Sequence, residues 1–146
     1  MFLALYFFYA IYIKTTPEKL WKALISPDFT QQYWWGRRLT TDWKVGSPIR
    51  ALYEGKKVDW QGKVLLFQPY TKLSYTFHLE EKPELEKDEP SIVIFEITPA
   101  SKSLVKLTVT HEKLSASGLE DVSEGWPEIL SRMKSLLELG KALEYD

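Results

Sequence analysis

The chain has no cysteine. That excludes disulfides, thiolate nucleophiles and cysteine-based zinc sites, and it fits a cytoplasmic setting. Histidine is nearly as scarce. His78 and His111 are the only two, neither at ligand spacing from carboxylates, so no metal and no cofactor is expected. The seven glycines are scattered, leaving no Gly-rich phosphate loop and no Gly-x-Ser-x-Gly elbow. Neither sign of charge is in excess: the formal net charge is −1, and no basic stripe marks a nucleic-acid partner. No apolar run reaches the roughly 20 residues of a membrane-spanning helix. The uncharged N-terminal run, MFLALYFFYAIYI, lacks the basic start and small-residue cleavage site of a secretory leader. Its β-branched and aromatic content reads as a first β-strand, with a targeting segment as the lesser reading. Both faces of that strand are apolar, so one packs inward and the other needs cover from the chain or a partner.

What is present is aromatic. The 146 residues are 14% Phe, Trp and Tyr and 45% hydrophobic, enough for one domain, residues 1–146, with a substantial core. In TTPEKLWKALISPD, Thr16 caps a helix, Pro17 takes its first position and Glu18 its first turn. Leu20, Trp21 and Leu24 form its apolar stripe. Ser26-Pro27 ends this helix and starts a second, which runs to about Tyr33 before Gly36 breaks it. Arg37 to Gly46 reads as a weak strand and a turn.

Strand signals follow at Pro48–Glu54 and Val58–Gln68. Leu73, Tyr75, Phe77 and Leu79 then alternate with Ser74, Thr76 and His78, a half-buried strand that places His78 on the surface. Glu80 to Pro90 reads as a charged, solvated hairpin loop. Ser91–Thr98 and Leu104–Glu112 form the next hairpin, with Val105, Leu107, Val109 and His111 on one face. In GWPEILSRMKSLLELGKAL the apolar residues recur at helical spacing. Pro127 disfavours helical dihedrals at Trp126, so the long helix is expected to start at Pro127, preceded by a kinked turn over Leu119–Glu124. One strand, two short helices, about six strands and a long final helix make an α+β layout. Its simplest packing is a curved antiparallel sheet of six or seven strands wrapped on that helix.

Five segments resemble, in order, a known pattern: TPEKLWKALISPDFTQQYWWG, DWKVGSPI, GKVLLFQPYTKLSYTF, LTVTHEKL and GWPEILSRMKSLLE. They are similar to the activator-of-heat-shock-protein-ninety-ATPase homologue branch of the START-like superfamily, also called SRPBCC. The resemblance covers nearly the whole chain. It implies a helix-grip fold, often with a cavity between the long helix and the sheet, and a link to chaperones through the branch's eukaryotic namesake, a co-chaperone of larger chain. Fold alone assigns no chemistry.

Asp42, Glu54, Asp59, Glu96 and Glu112 are carboxylates with no base to pair with. The functional candidates are therefore aromatic and apolar, as small-molecule sites usually are. Trp126, Leu130 and Met133 from the long helix, and Tyr53, Trp60, Tyr75, Phe77 and His111 from the sheet, are placed to line a cavity. The competing expectation is that these rings fill the core and leave no room, and that His111 is a satisfied, partly buried histidine. Trp34 and Trp35 are adjacent at a helix end and point in different directions: one plugs the core, the other faces a cavity mouth or a partner. Which of the two is buried is left open; Trp35 is counted among the cavity candidates, and Trp43 packs as a hinge of its turn. Three functions are compatible with this set. The leading one is a non-enzymatic domain that holds a small hydrophobic or aromatic ligand. The second is a co-chaperone-like interaction module, for which Arg37, Arg38 and Lys44 lie beside exposed aromatics. The third is a cyclase or hydrolase. The two-faced first strand also favours a homodimer.

Overall fold

The computed structural model describes residues 5–79 and 90–144. Strand β1 (Leu5–Ile13) is followed by helices α1 (Pro17–Ile25) and α2 (Pro27–Tyr33). Strands β2 (Arg38–Thr40), β3 (Pro48–Tyr53), β4 (Lys57–Gln68), β5 (Lys72–Leu79), β6 (Ser91–Ser101) and β7 (Leu104–Leu114) come next, and helix α3 (Ala116–Leu139) closes the chain. The strands form one seven-stranded sheet in the order β1-β7-β6-β5-β4-β3-β2, antiparallel at every pairing. Both edges belong to the N-terminal half of the chain: β1, nine residues long, and β2, only three.

The helix starts obey the local chemistry of the sequence. The Thr16 hydroxyl accepts from the Lys19 amide at 3.3 Å, and Pro17 stands where no amide is needed. Ser26 N–H closes α1 on Lys22 O at 2.9 Å while its carbonyl begins α2. At the other end of α2, Trp35 (φ 43°) and Gly36 (φ 79°) are left-handed. They reverse the chain so that Thr30 Oγ1 receives the Leu39 amide at 3.2 Å.

The expected break at Pro127 does not occur. Helix α3 runs continuously from Ala116 to Leu139 with Pro127 inside it. Its cap is Ser115, whose hydroxyl accepts from the Gly118 amide at 3.1 Å. Burial of Trp126 on one side of the proline and Ile129 and Leu130 on the other overrides the local dihedral preference. Of the charged loop expected over Glu80–Pro90, all but Pro90 lies outside the described residues. Ser74, expected on a solvated face, is buried and donates to Val93 O at 2.8 Å. His78 is half-buried rather than on the surface.

Helix α3 lies across the apolar face of the sheet. Beneath it the inward residues of the strands form one core, including Ile13, Trp60, Tyr75, Phe95, Leu107 and Val109. Arg132 fastens α3 to α2 through Tyr33 O (3.2 Å) and Gln32 O (3.1 Å), and it also donates to Leu143 O. Glycine is required at position 62, where a Cβ would stand 1.8 Å from the Thr76 carbonyl oxygen of β5. Here Lys63 N–H donates to Thr76 Oγ1 at 2.8 Å, a side chain standing in for a ladder partner. No helix among the described residues is long and apolar enough to cross a membrane.

Candidate functional site

Between the first half of α3, the centre of the sheet and the α2–β2 turn lies a cleft of about 250 Å³. Three walls meet there. The α2–β2 turn supplies Trp34, Trp35 and Arg37; β4 and β5 supply Asp59, Trp60 and Phe77; α3 supplies Asp121, Val122, Gly125, Trp126 and Ile129.

The pair of neighbouring tryptophans is resolved. Trp34 is 5% exposed and Trp35 40%. Trp34 turns inward, its ring 5.6 Å from Trp60 and 5.3 Å from Trp126. Trp35, in its left-handed backbone conformation, stands at the solvent side. Under the cleft the aromatic contacts close into a ring. Trp60 meets Phe77 at 4.6 Å, Phe77 meets His111 at 5.2 Å, and His111 meets Trp126 at 6.1 Å, which returns to Trp34. Such edge-to-face and tilted contacts hold the wall more rigidly than aliphatic packing of equal area.

At the mouth the groups are charged but compensated. Arg37 Nε donates to Asp59 Oδ2 at 3.1 Å and its Nη1 to Trp35 O at 2.7 Å, and its guanidinium lies 4.3 Å from the Tyr53 ring centroid. Behind the wall, two polar atoms are left over. Trp60 is fully buried and its Nε1–H has no partner among the described residues; the same holds for the Tyr75 hydroxyl stacked beside it. Burial raises the pKa of the Tyr75 phenol well above its ordinary value, so it stays a neutral hydroxyl.

His111 is fully buried and fully used. Trp126 Nε1–H donates to its Nδ1 at 3.1 Å, which places the ring proton on Nε2. Nε2–H then donates to Ser91 Oγ at 2.7 Å, and Ser91 passes its own proton to Phe77 O at 2.9 Å. Burial lowers the pKa of His111 to about 3. It is a neutral strut behind the cleft wall, not an acid or base facing it.

The structure therefore brings Trp35, Trp60, Phe77 and Trp126 together at the cleft. Tyr75, Leu130 and Met133 are buried in the core behind it, and His111 braces Trp126. Tyr53 lies on the far side of Arg37, in a separate depression with Gln31, Arg38 and Glu54. Trp43 is at its turn, its Nε1–H on Ile25 O at 3.1 Å and its ring stacked on Phe67 at 5.9 Å. Sequence reasoning missed Arg37 and Asp59 as lining residues, and it missed Asp121, Val122 and Gly125 entirely. Asp121 and Val122 fall in the segment assigned to a kinked turn over Leu119–Glu124, and Gly125 lies between that turn and the helix start expected at Pro127. No group of histidine, aspartate and glutamate converges to hold a metal among the described residues.

The family model described as Activator of Hsp90 ATPase homolog 1-like protein matches residues 14–138, which takes in α1, α2, every strand but β1, and nearly all of α3. The chain belongs to this family. No curated protein matches the sequence. Solved structures do match. The Mesorhizobium loti protein MLL2253 superposes with a TM-score of 0.75 at 24% identity, covering 90% of this chain and 96% of that one. The Aha1 dimer from Colwellia psychrerythraea gives 0.76 at 21%, covering 94% and 99%. PFC0360w, an HSP90 activator from Plasmodium falciparum, gives 0.76 at 20%, covering 90% and 95%. At these identities the likeness is one of fold, and it extends over nearly the whole of each of those three chains.

Proposed function

We propose that this protein is a non-enzymatic binding domain that takes a small, neutral aromatic or apolar molecule into the cleft between α3 and the sheet. The observation that carries the reading is a cleft of about 250 Å³ walled by Trp34, Trp35, Trp60, Phe77 and Trp126. Its volume is just below the range of about 300–1,000 Å³ for drug-sized ligands, which suits a molecule of one or two rings. The Arg37–Asp59 pair neutralises its own charges, and with Asp121 also lining the cleft the mouth does not favour an anionic guest. The lining residues include no serine, threonine, cysteine, lysine or histidine, which supports binding without chemistry.

Intrinsic tryptophan fluorescence tests this directly. Naphthol and naphthalene, both neutral two-ring probes, are expected to quench saturably. Gly125→Leu places a side chain where a Cβ meets nothing within 4 Å, so it should fill the cleft, keep the fold and abolish the quench. If neither probe gives saturable quenching, or if Gly125→Leu leaves it unchanged, the reading falls.

A second reading, a co-chaperone-like module, is supported by family membership and by the fold shared with the Plasmodium HSP90 activator. Trp35 and Arg38 at the α2–β2 turn and Lys44 in the β2–β3 loop are exposed and would be its contact surface. An Hsp90 ATPase assay with added protein tests it. A rate increase lost in Trp35→Ala supports the module, and an unchanged rate with no detectable complex removes it.

A further inference from the structure

We propose that the protein forms a two-fold dimer in which β1 pairs antiparallel with β1 of a second copy, centred on Phe8. The inference stands apart from the cleft, since it rests on the sheet edge.

Strand β1 is the terminal strand of the sheet. Natural edges are usually blunted by lysine, proline, bulges on the edge strand or shortness. Here LYFFYAIYI is nine residues long, with no charge and no proline. On its outer face Tyr6, Phe8 and Tyr12 are 68%, 54% and 51% exposed.

The edge is defended at one end only. Lys134 Nζ donates to Tyr12 O at 2.6 Å, and Glu138 Oε2 accepts the Lys14 amide at 2.8 Å. Those two bonds also fix the phase. Tyr12 and Lys14 point their backbone groups away from β7, so by the alternation of an extended strand Tyr6, Phe8 and Ala10 do too. Among the described residues three outward ones remain, Tyr6, Phe8 and Ala10, symmetric about Phe8.

A two-fold axis at Phe8 sets Tyr6 against Ala10 of the second copy, Phe8 against Phe8, and Ala10 against Tyr6. Each is a hydrogen-bonded pair, so every free amide and carbonyl of the three residues finds a partner. The same register sets Phe7 against Tyr9, which stack on one another within each chain at 6.2 Å. No like charges meet. The match of the edge to its own inverse selects a second copy over an unrelated extended peptide, and the interface closes on itself.

Cysteine cross-linking reads the register, because the natural chain has none. In Phe8→Cys the two sulfurs belong to residues whose Cα atoms are about 5.5 Å apart, within the disulfide range of about 4.4–6.8 Å. In Tyr6→Cys or Ala10→Cys the equivalent residues are four positions apart along the strand, roughly 13 Å. Phe8→Cys alone is expected to oxidise to a covalent dimer. Equal cross-linking of Tyr6→Cys, or none at Phe8→Cys, overturns the proposal.

Sedimentation velocity supplies the second measurement. The wild-type chain should sediment as a dimer at high micromolar concentration. Ala10→Pro removes only an outward amide, which an edge strand tolerates, so it should halve the mass and leave the circular dichroism unchanged. A monomeric wild type, a dimeric Ala10→Pro, or a monomer that captures an extended peptide instead each refutes it.

Discussion

The indole N–H of Trp126 donates to Nδ1 of His111 over 3.1 Å, joining α3 to β7 through two buried side chains. The bond requires a neutral imidazole, and burial holds the pKa of His111 down to about 3. An unfolded histidine titrates near 6.5. Below that pH the unfolded chain gains a proton that the native state refuses until about pH 3. Stability should therefore be full above about pH 6.5 and fall as pH drops, by about 1.4 kcal/mol per pH unit from this residue. Urea unfolding at about pH 7 and about pH 5 checks the slope, since ordinary carboxylates remain ionised over most of that window. His111→Gln should be less stable at neutral pH but should lose most of the slope.

Two adjacent tryptophans should behave oppositely. Trp34→Ala removes a ring packed between Trp60 and Trp126 and should destabilise by about 3–5 kcal/mol. Trp35→Ala, at the solvent side of the cleft, should change stability by no more than about 0.5 kcal/mol. Thermal melts of the two variants separate the core role from the mouth role.

Two glycines should also part company. Gly62→Ala drives a methyl to 1.8 Å from a backbone oxygen of β5, and the strand displacement that follows should cost about 3 kcal/mol. Gly125→Ala, inside α3 with open space around it, should stabilise by up to about 1 kcal/mol through helix propensity. Chemical denaturation of both variants measures the two signs.

Arg37 and Asp59 are partly shielded rather than buried, with side chains 23% and 17% exposed. A double-mutant cycle with Arg37→Ala and Asp59→Ala should give a coupling of about 1 kcal/mol or less. The coupling should shrink as salt is raised. A coupling that ignores salt would mean that the Tyr53 contact, and not the ion pair, holds Arg37.

The fold was readable because its punctuation is local. Thr16-Pro17 carries its own capping chemistry; at Ser26-Pro27 the expected serine cap makes no side-chain bond, and Pro27 at the first helical position marks the start instead; the alternation from Val105 to His111 shows one buried face. Pro127 misled because a dihedral preference at Trp126 competes with burial of the same residue, and burial prevails. That single misreading hid Asp121, Val122 and Gly125, since they were not seen as part of the helix that walls the cleft. Arg37 and Asp59 were hidden differently: they are 22 residues apart in sequence, and it is the β2–β3–β4 pairing that brings them together. Periodicity gives the face of a residue but not its depth. Tyr75 and Trp60 therefore looked equivalent, although only Trp60 reaches the cleft.

Pro127 also divides α3 into unequal parts. It has no amide to give to the carbonyl of Ser123, and Gly118 and Gly125 lie on the same N-terminal side. The half that carries Asp121, Val122 and Gly125 is thus the part of the helix with the thinner ladder, while Ile129 to Leu136 is anchored in the core. Amide hydrogen exchange should show the first half opening at lower free energy than the second. A guest could then enter by the brief fraying of one wall, with the sheet and the anchored half left closed.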